Sequence, residues 1–133
     1  MKGFHLKIVT PDGLIFDGIA DALLVKTSMG EVEFMSGHID YFASLGIGKA
    51  KLTAEGVSRY ASMQGGFVSV KGGEVMLVTT TFEYADEIDV ERARRAKEKA
   101  EETLSTAKDR LAIDRARAKL LRAISRINVS ELK

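Results

Sequence analysis

The sequence predicts an α+β protein in which an antiparallel β-sandwich, residues 1–85, precedes an antiparallel hairpin of two helices, residues 86–133. Short strand-like segments fill the first part, and helical periodicity is confined to the second. All aromatic residues lie at or before Tyr84. The charge also divides there: seven basic and nine acidic residues give −2 before residue 86, and thirteen and ten give +3 after it.

The first strand is predicted from the alternation of Phe4, Leu6 and Ile8 with the residues between them, a half-buried pattern. Pro11 and Gly13 then mark a type I turn. Further segments of the sandwich are LIFDGIA, ALLVKT, GEVEFM, KAKLTAEG and a hairpin within FVSVKGGEVMLVTTTFEY that turns at Gly72-Gly73. Many short strands at this spacing favour a compact antiparallel sandwich.

The helical part shows two apolar stripes at spacings of three and four residues. Asp89 is a predicted N-cap of the first helix, and Ser105, Thr106 and Asp109 are cap or turn residues between the helices. The stripes are Ala93, Ala96, Ala100 and Leu104, then Ile113, Ala116, Leu120, Ile124 and Ile127. Because alanine buries little apolar surface, the seam is weak, and we expect a labile hairpin that depends on docking elsewhere.

Composition predicts a soluble, intracellular protein without catalytic chemistry. The chain has no cysteine, no apolar run of the roughly 20 residues that span a bilayer, and no signal-peptide core. Gly65-Gly66 and Gly72-Gly73 lack the helix start and Gly-Lys-Ser/Thr of a phosphate loop, so they are predicted turns. His38 has no Ser or Cys nucleophile arrangement beside it and is predicted to be a positioned loop residue. We therefore predict no catalytic residues and no metal ligands.

Three arginines are short of acidic partners. Arg92 has only Asp89 three residues earlier, and Asp89 is committed to capping. Arg122 and Arg126 have no acid at neighbouring positions of their own helix and repel each other. An antiparallel hairpin brings all three together, which predicts a polyphosphate site. Solvated surface charges or contacts to an acidic partner remain alternatives, whereas no aromatic residue accompanies the basic stretch to stack on nucleic-acid bases.

Nearly the whole chain resembles a known family, the epsilon subunit of the bacterial F-type ATP synthase. The resemblance lies in LKIVTPDGLIF, GEVEFMSGH, YASMQGGFVSV, VMLVTTTFEYADEID and the Ala/Arg-rich hairpin. Ser36 stands where many relatives have a proline before Gly37-His38, which bears only on local loop shape. The resemblance implies a non-catalytic subunit of the rotating central stalk, peripheral to the cytoplasmic face of the bacterial membrane.

The resemblance also implies partners and a regulatory role. The sandwich is expected to contact the gamma subunit and the membrane ring of c subunits. The extended helices are expected to reach the alpha/beta catalytic head and oppose ATP hydrolysis, and to release it when folded down. Nucleic acid is not an expected partner, and no transmembrane segment is expected.

Some family members bind ATP in the folded-down state through Ile/Leu-Asp-x-x-Arg-Ala and distal arginines. That resemblance implies ATP as a regulatory ligand, with or without Mg²⁺, bound through Glu83, Ile88, Asp89, Arg92, Ala93, Arg122 and Arg126. The arginines are assigned to the phosphates and the others to base and sugar; Lys99 stands where some relatives have another arginine. The alternatives are a stalk subunit without an ATP site and an unrelated β-sandwich scaffold.

Overall fold

The computed structural model describes residues 3–132, which form ten strands, a short 3-10 helix and two α-helices. The strands are β1 (Phe4–Thr10), β2 (Gly13–Ala20), β3 (Ala22–Thr27), β4 (Gly30–Met35), β5 (Tyr41–Ser44), β6 (Ile47–Ala54), β7 (Val57–Gln64), β8 (Phe67–Lys71), β9 (Glu74–Val78) and β10 (Phe82–Tyr84). The 3-10 helix (Ala85–Glu87) leads into α1 (Val90–Thr106) and α2 (Arg110–Ser130).

The strands form two five-stranded sheets that pack face to face. The first sheet has the order β2-β1-β9-β8-β5 and the second the order β10-β7-β6-β3-β4. Every pair is antiparallel except β1 with β9, which run parallel with Leu6 opposite Val75. The predicted α+β class is confirmed, with this one parallel pair as an addition.

The sandwich core follows from side-chain alternation along the strands. Phe4, Leu6 and Ile8 are buried as predicted, and Phe34 and Leu77 are fully buried between the sheets. The predicted hairpin also forms, with β8 and β9 turning at Gly72-Gly73. Two strands, β5 and β7, had no clear alternating signal in the sequence.

Gly66 occupies a position that only glycine tolerates. Its φ is +100°, and a Cβ there would collide with the carbonyl group of Val78. Gly65 also has a positive φ, of +68°. The Gly65-Gly66 pair is therefore a turn between β7 and β8, as the sequence predicted, and its geometry is set by the close approach of the neighbouring strand.

His38 is held by packing. Its Nδ1–H donates to the Ile39 carbonyl at 2.9 Å, and its ring meets the Phe34 ring edge-on at a centroid distance of 4.8 Å. The Tyr41 ring also meets it edge-on, at a centroid distance of 5.8 Å. This surrounding agrees with a positioned loop histidine.

Side-chain caps begin both helices. The Asp89 carboxylate accepts from the Arg92 N–H at 3.1 Å, and the Asp109 carboxylate from the Ala112 N–H at 2.8 Å, so both predicted caps are confirmed. Neither helix of the described chain has the length and apolar character that crossing a membrane requires.

The seam between α1 and α2 is lined by small residues, as predicted, but not by every alanine of the stripe. Ala93, Ala100 and Ala116 are buried. Ala96 was assigned to the buried stripe and is instead exposed. It lines an open groove near the start of α1, so the helices are less closely covered there than along the rest of the seam.

Helix α2 docks on the outer face of β6 and β7. Ala61 and Met63 point into the core, so Ser62 between them faces the helix, where its hydroxyl is 2.9 Å from the Ser125 hydroxyl. Near the end of α2, Val129 is 1% exposed and packs with Ala85, Ile88 and Tyr60. The hairpin is thereby folded down on the sandwich.

His5 links three strands on the outer face of the first sheet. Its Nε2 lies 2.6 Å from an Asp17 oxygen of β2 and its Nδ1 3.0 Å from a Glu74 oxygen of β9. The hydrogen bond to Asp17, followed by that to Glu74, raises the pKa of His5 above its ordinary value of 6.5. Only the protonated ring can donate to both carboxylates at once.

We predict that Val129→Ala destabilises the docked state of the hairpin while the sandwich stays folded. Loss of two buried methyl groups costs about 1.5 kcal/mol at roughly 0.8 kcal/mol per carbon. Amide hydrogens of α2 should therefore exchange about tenfold faster by hydrogen-exchange mass spectrometry, and those of β1 should not change. Leu121→Ala, on the same helix but 51% exposed, is the control. Equal acceleration in β1 would show that hairpin and sandwich open as one unit.

A second prediction concerns pH. Because the folded-state pKa of His5 is raised, its contribution to stability is complete below the ordinary value of 6.5 and is lost as pH rises through the folded pKa. Asp17→Asn removes the larger cause and should return the His5 pKa toward 6.5 in an NMR titration. The free energy of unfolding of the variant should also decline less than that of the parent as pH rises above 6.5. An unchanged pKa of His5 in the variant would contradict the hydrogen bond between His5 and Asp17.

Candidate functional site

A cleft of about 350 Å³ lies where β10, the 3-10 helix, α1 and α2 meet. Its lining residues are Glu83, Glu87, Asp89, Arg92, Ala93, Ala96 and Arg126. Five of the seven residues predicted for the ATP site share this cleft. The sandwich and both helices each contribute to it, so it is complete only with the hairpin folded down.

Glu83 and Arg126 form an ion pair across the cleft. Glu83 lies on the edge strand β10, opposite Ser62 of β7, and its Oε1 accepts from Arg126 Nε at 2.6 Å. The two side chains are 34% and 28% exposed, so water screens the pair only in part. The expectation that Arg126 is unpaired is therefore wrong, because its acidic partner comes from the sandwich and not from its own helix.

The pairing leaves most of the Arg126 guanidinium available. Its Nε is committed to Glu83, while the four N–H groups on its two terminal nitrogens can still donate to another acceptor. The carboxylate also fixes the direction of the planar group, which lowers the entropy lost when a ligand binds. Arg126 is thus suited to hold an anion and Glu83 at the same time.

Arg92 lies exposed in the first turn of α1. Within residues 3–132 its guanidinium has no carboxylate within 4.0 Å, in agreement with the sequence prediction. Its neighbour Arg94 differs, because Arg94 Nη1 donates to Glu91 at 2.7 Å. Arg95 also has no carboxylate within 4.0 Å among these residues, but only Arg92 of the two lines the cleft.

The remaining two predicted residues lie elsewhere. Arg122 does not line the first cleft; with Arg126 it lines a neighbouring one of about 450 Å³, together with Lys99. Ala96 and Arg126 are shared by the two, so they form one continuous groove. Ile88 is 7% exposed and packs in the apolar cluster with Val129, so its side chain lies beneath the cleft and does not line it.

The sequence did not predict two of the lining residues. Glu87 was not assigned to the site, and Ala96 was expected to be buried between the helices. The Glu87 carboxylate accepts from the Tyr84 N–H at 3.1 Å. This is a capping contact over three residues, and the spacing of Tyr84 and Glu87 around the short 3-10 helix was the available signal. Ala96 escaped because a stripe of alanines does not show where two helices separate.

Arg59 fixes the wall behind the 3-10 helix. Its guanidinium stacks on the Tyr84 ring at 3.5 Å from the centroid and approaches Asp86 at 3.4 Å. Burial raises the pKa of Tyr84 above its ordinary value of 10.0, so the ring remains a neutral phenol at pH 7. The segment that carries Glu83 into α1 is thus held against β7.

The groove has the size and chemistry of an anion site. Its volumes fall within the range of small-molecule pockets, and its arginines offer bidentate donors that suit phosphate oxygens. Among residues 3–132, no group of three or more His, Cys, Asp or Glu side chains is placed to hold a metal ion.

Comparison with known proteins places the chain in a family. Residues 3–85 match the model of the ATP synthase delta/epsilon chain β-sandwich domain, and residues 86–131 match the long α-helix domain of the same chain. The chain belongs to the ATP synthase delta/epsilon family. The ATP synthase epsilon chains of Ruminococcus albus and Staphylococcus saprophyticus are 37% and 38% identical to it, each over the full length of both chains.

Solved structures show the same fold. A chain of the Euglena gracilis mitochondrial ATP synthase, solved with OSCP, F1 and the c-ring, matches with a TM-score of 0.85 at 23% identity. The match covers 100% of this chain and 83% of that one. A chain of the Tetrahymena thermophila mitochondrial ATP synthase central stalk and c-ring gives 0.69 at 15% identity, over 95% of both chains. The family fold is therefore shared over long evolutionary distances.

We predict that Glu83 and Arg126 stabilise the docked hairpin together. A double-mutant cycle with Glu83→Gln and Arg126→Gln should give a coupling energy of about 1 kcal/mol for the opening of α2, measured by hydrogen exchange. The exposed pair of Glu91 and Arg94 within α1 is the control, for which we expect a coupling energy of a few tenths of a kcal/mol. Equal coupling in the two cycles would mean that the Glu83 pair does not hold the hairpin.

Proposed function

We propose that the chain is a non-catalytic central-stalk subunit of an F-type ATP synthase whose hairpin binds ATP when folded on the sandwich. In the proposed mechanism, opening of the hairpin allows the helices to reach the alpha/beta head and oppose ATP hydrolysis. The subunit would lie at the cytoplasmic face of the bacterial membrane as a peripheral component. Membership of the epsilon-chain family supports the assignment to this complex.

The observation that carries ATP binding is the convergence of Arg92 from α1, Arg126 from α2 and Glu83 from the sandwich on one cleft. The arginines suit phosphate oxygens, and the Glu83 carboxylate can accept from ribose hydroxyls or an adenine amino group. Because three elements supply these groups, a ligand that contacts all of them favours the closed state by its differential affinity.

ATP is proposed as a ligand and not as a substrate. Each carboxylate that lines the cleft already accepts a hydrogen bond: Glu83 from Arg126, Glu87 from the Tyr84 N–H and Asp89 from the Arg92 N–H. A carboxylate engaged in this way is a poor base for activating water at a phosphate. The site therefore supports nucleotide sensing.

The proposed partners of the sandwich are the gamma subunit and the c-ring. Support comes from large apolar side chains that the sandwich leaves exposed, which is typical of docking surfaces. Phe42 is 68% exposed and stacks on Phe67, and Met29 and Ile39 are 89% and 77% exposed. The proposed partner of the opened basic helices is the alpha/beta head.

The second candidate is the same stalk subunit without an ATP site. It is favoured by the Glu83–Arg126 pair, which already neutralises one of the three arginines. In that case the hairpin arginines would serve only the contact with the catalytic head. The third alternative, an unrelated scaffold, is excluded by the family match.

We predict that the chain binds ATP in isothermal titration calorimetry and that Arg92→Ala and Arg126→Ala each weaken binding about tenfold or more. A charge-assisted hydrogen bond contributes roughly 1.5–3 kcal/mol, and about 1.4 kcal/mol corresponds to tenfold. Arg94→Ala is the control, because Arg94 is paired with Glu91 and lies outside the cleft. ATP at 100 times its dissociation constant should stabilise the closed hairpin by about 2.7 kcal/mol.

The outcomes separate the two candidates. No heat of binding with the parent chain would leave the stalk subunit without a nucleotide site. Binding that survives both cleft substitutions would place the nucleotide elsewhere. Failure of the chain to co-purify with gamma subunit from its own complex would contradict the stalk assignment.

A further inference from the structure

The outer face of the first sheet carries a charged cluster that lies apart from the proposed ATP site. Helix α2 packs on β6 and β7 of the second sheet, whereas the outward side chains of β1 and β9 in the first sheet are exposed or half-buried. At the centre of the cluster is His5 on β1, which bridges Asp17 on β2 and Glu74 on β9. Lys7 on β1 and Lys71 on β8 lie beside it on the same face.

Each carboxylate of the cluster has a lysine directly opposite it in the sheet. Lys7 is the cross-strand partner of Asp17, and Lys71 is that of Glu74. Among residues 3–132, however, neither lysine lies within 4.0 Å of a carboxylate. Both carboxylates turn instead to the ring of His5, at 2.6 and 3.0 Å. The histidine therefore holds two carboxylates for which lysines are already in place.

This arrangement needs both ring nitrogens of His5 to donate. The protonated ring has two N–H groups, one for each carboxylate, whereas the neutral ring has one N–H and one lone pair. After deprotonation, one nitrogen presents its lone pair to a carboxylate oxygen, and the two repel each other. One of the two carboxylates must then leave the ring. Because a lysine lies opposite each of them, the carboxylate that leaves has a new partner within reach.

Glu74 is the carboxylate that leaves more easily. Its contact with the ring nitrogen Nδ1 is 3.0 Å long, against 2.6 Å from Nε2 to Asp17, and its side chain is 71% exposed, against 42%. An exposed glutamate reorients at little cost, because water replaces the contact that it loses. Asp40, at the same turn as Lys71, already accepts from the Gly72 N–H at 3.0 Å. Lys71 is thus left for Glu74.

We propose that His5, Glu74 and Lys71 form a proton-controlled switch on this face of the sandwich. Protonated His5 holds Glu74, whereas neutral His5 keeps its Nε2–H on Asp17 and releases Glu74 to Lys71. Lys71 is therefore available to an acidic group of a partner only while His5 is protonated. The hydrogen bond to Asp17, followed by that to Glu74, raises the pKa of His5 above 6.5, so the switch operates as pH rises through that higher value.

The first test reads the tautomer of neutral His5 in the full chain. Long-range proton–nitrogen correlation spectra distinguish a ring protonated at Nε2 from one protonated at Nδ1. Above the pKa of His5, the parent should be mainly the Nε2–H tautomer. Asp17→Asn should shift the ring toward Nδ1–H, because Glu74 is then the only carboxylate that the ring contacts. The ring signals of His38, which lies in a separate aromatic cluster, should be the same in parent and variant.

The second test measures the transfer of Glu74 to Lys71 through its effect on the pKa of His5. Lys71→Gln removes the partner that Glu74 has in the deprotonated state, so it should raise the pKa of His5 by about 0.3 of a pH unit. The same change made in a Glu74→Gln background should have no measurable effect. Lys7→Gln is the matched control, because Lys7 lies on the same face but opposite Asp17. It should shift the pKa of His5 equally with and without Glu74→Gln.

Two outcomes would overturn the inference. A neutral parent ring in the Nδ1–H tautomer would show that Asp17 leaves and Glu74 stays. An equal shift of the His5 pKa by Lys71→Gln with and without Glu74→Gln would show that Lys71 acts only as a distant charge. All the variants change side chains on the outer face, so amide spectra of the second sheet should match the parent and check the fold. Neither outcome bears on ATP binding, because none of these residues lines the proposed site.

Discussion

The docking of α2 on the outer face of β6 and β7 is the contact on which the rest of the molecule depends. An isolated hairpin with an alanine seam is marginal in water, so its order comes from this surface. Three contacts near the C-terminal end of the helix secure it: the Ser62–Ser125 hydroxyl pair, the Glu83–Arg126 ion pair and the burial of Val129. None is large alone, which suits an element proposed to open and close.

The sequence predicted those features whose physical basis is local. Alternation identified β1 and the β8–β9 hairpin, and side-chain chemistry identified the caps Asp89 and Asp109. Strand β7 was not apparent, because Ser62 and Gln64 are polar yet buried beneath α2. Polar and apolar residues alternate along a strand when one of its faces is exposed to solvent. A strand covered by a sheet on one face and by a helix on the other does not show this alternation.

The sequence could predict those residues of the candidate site that lack an acidic partner close by in the chain. Arg92 lacked a free acid in its own helix, and it has none in the fold of the described residues. Arg126 looked the same, but its partner Glu83 lies 43 residues away on β10. Helix-neighbour rules cannot find such a pair, because tertiary docking creates it.

Placing the arginines at the junction gives the proposed ligand control over conformation. Arg92 belongs to α1, Arg122 and Arg126 to α2, and Glu83 to the sandwich. Opening the hairpin separates these three groups, so the open state retains at most part of the donor set. A ligand shifts an equilibrium only by its difference in affinity for the two states, and a site divided among three elements makes that difference large. A site of equal strength within one helix would bind ATP without regulating anything.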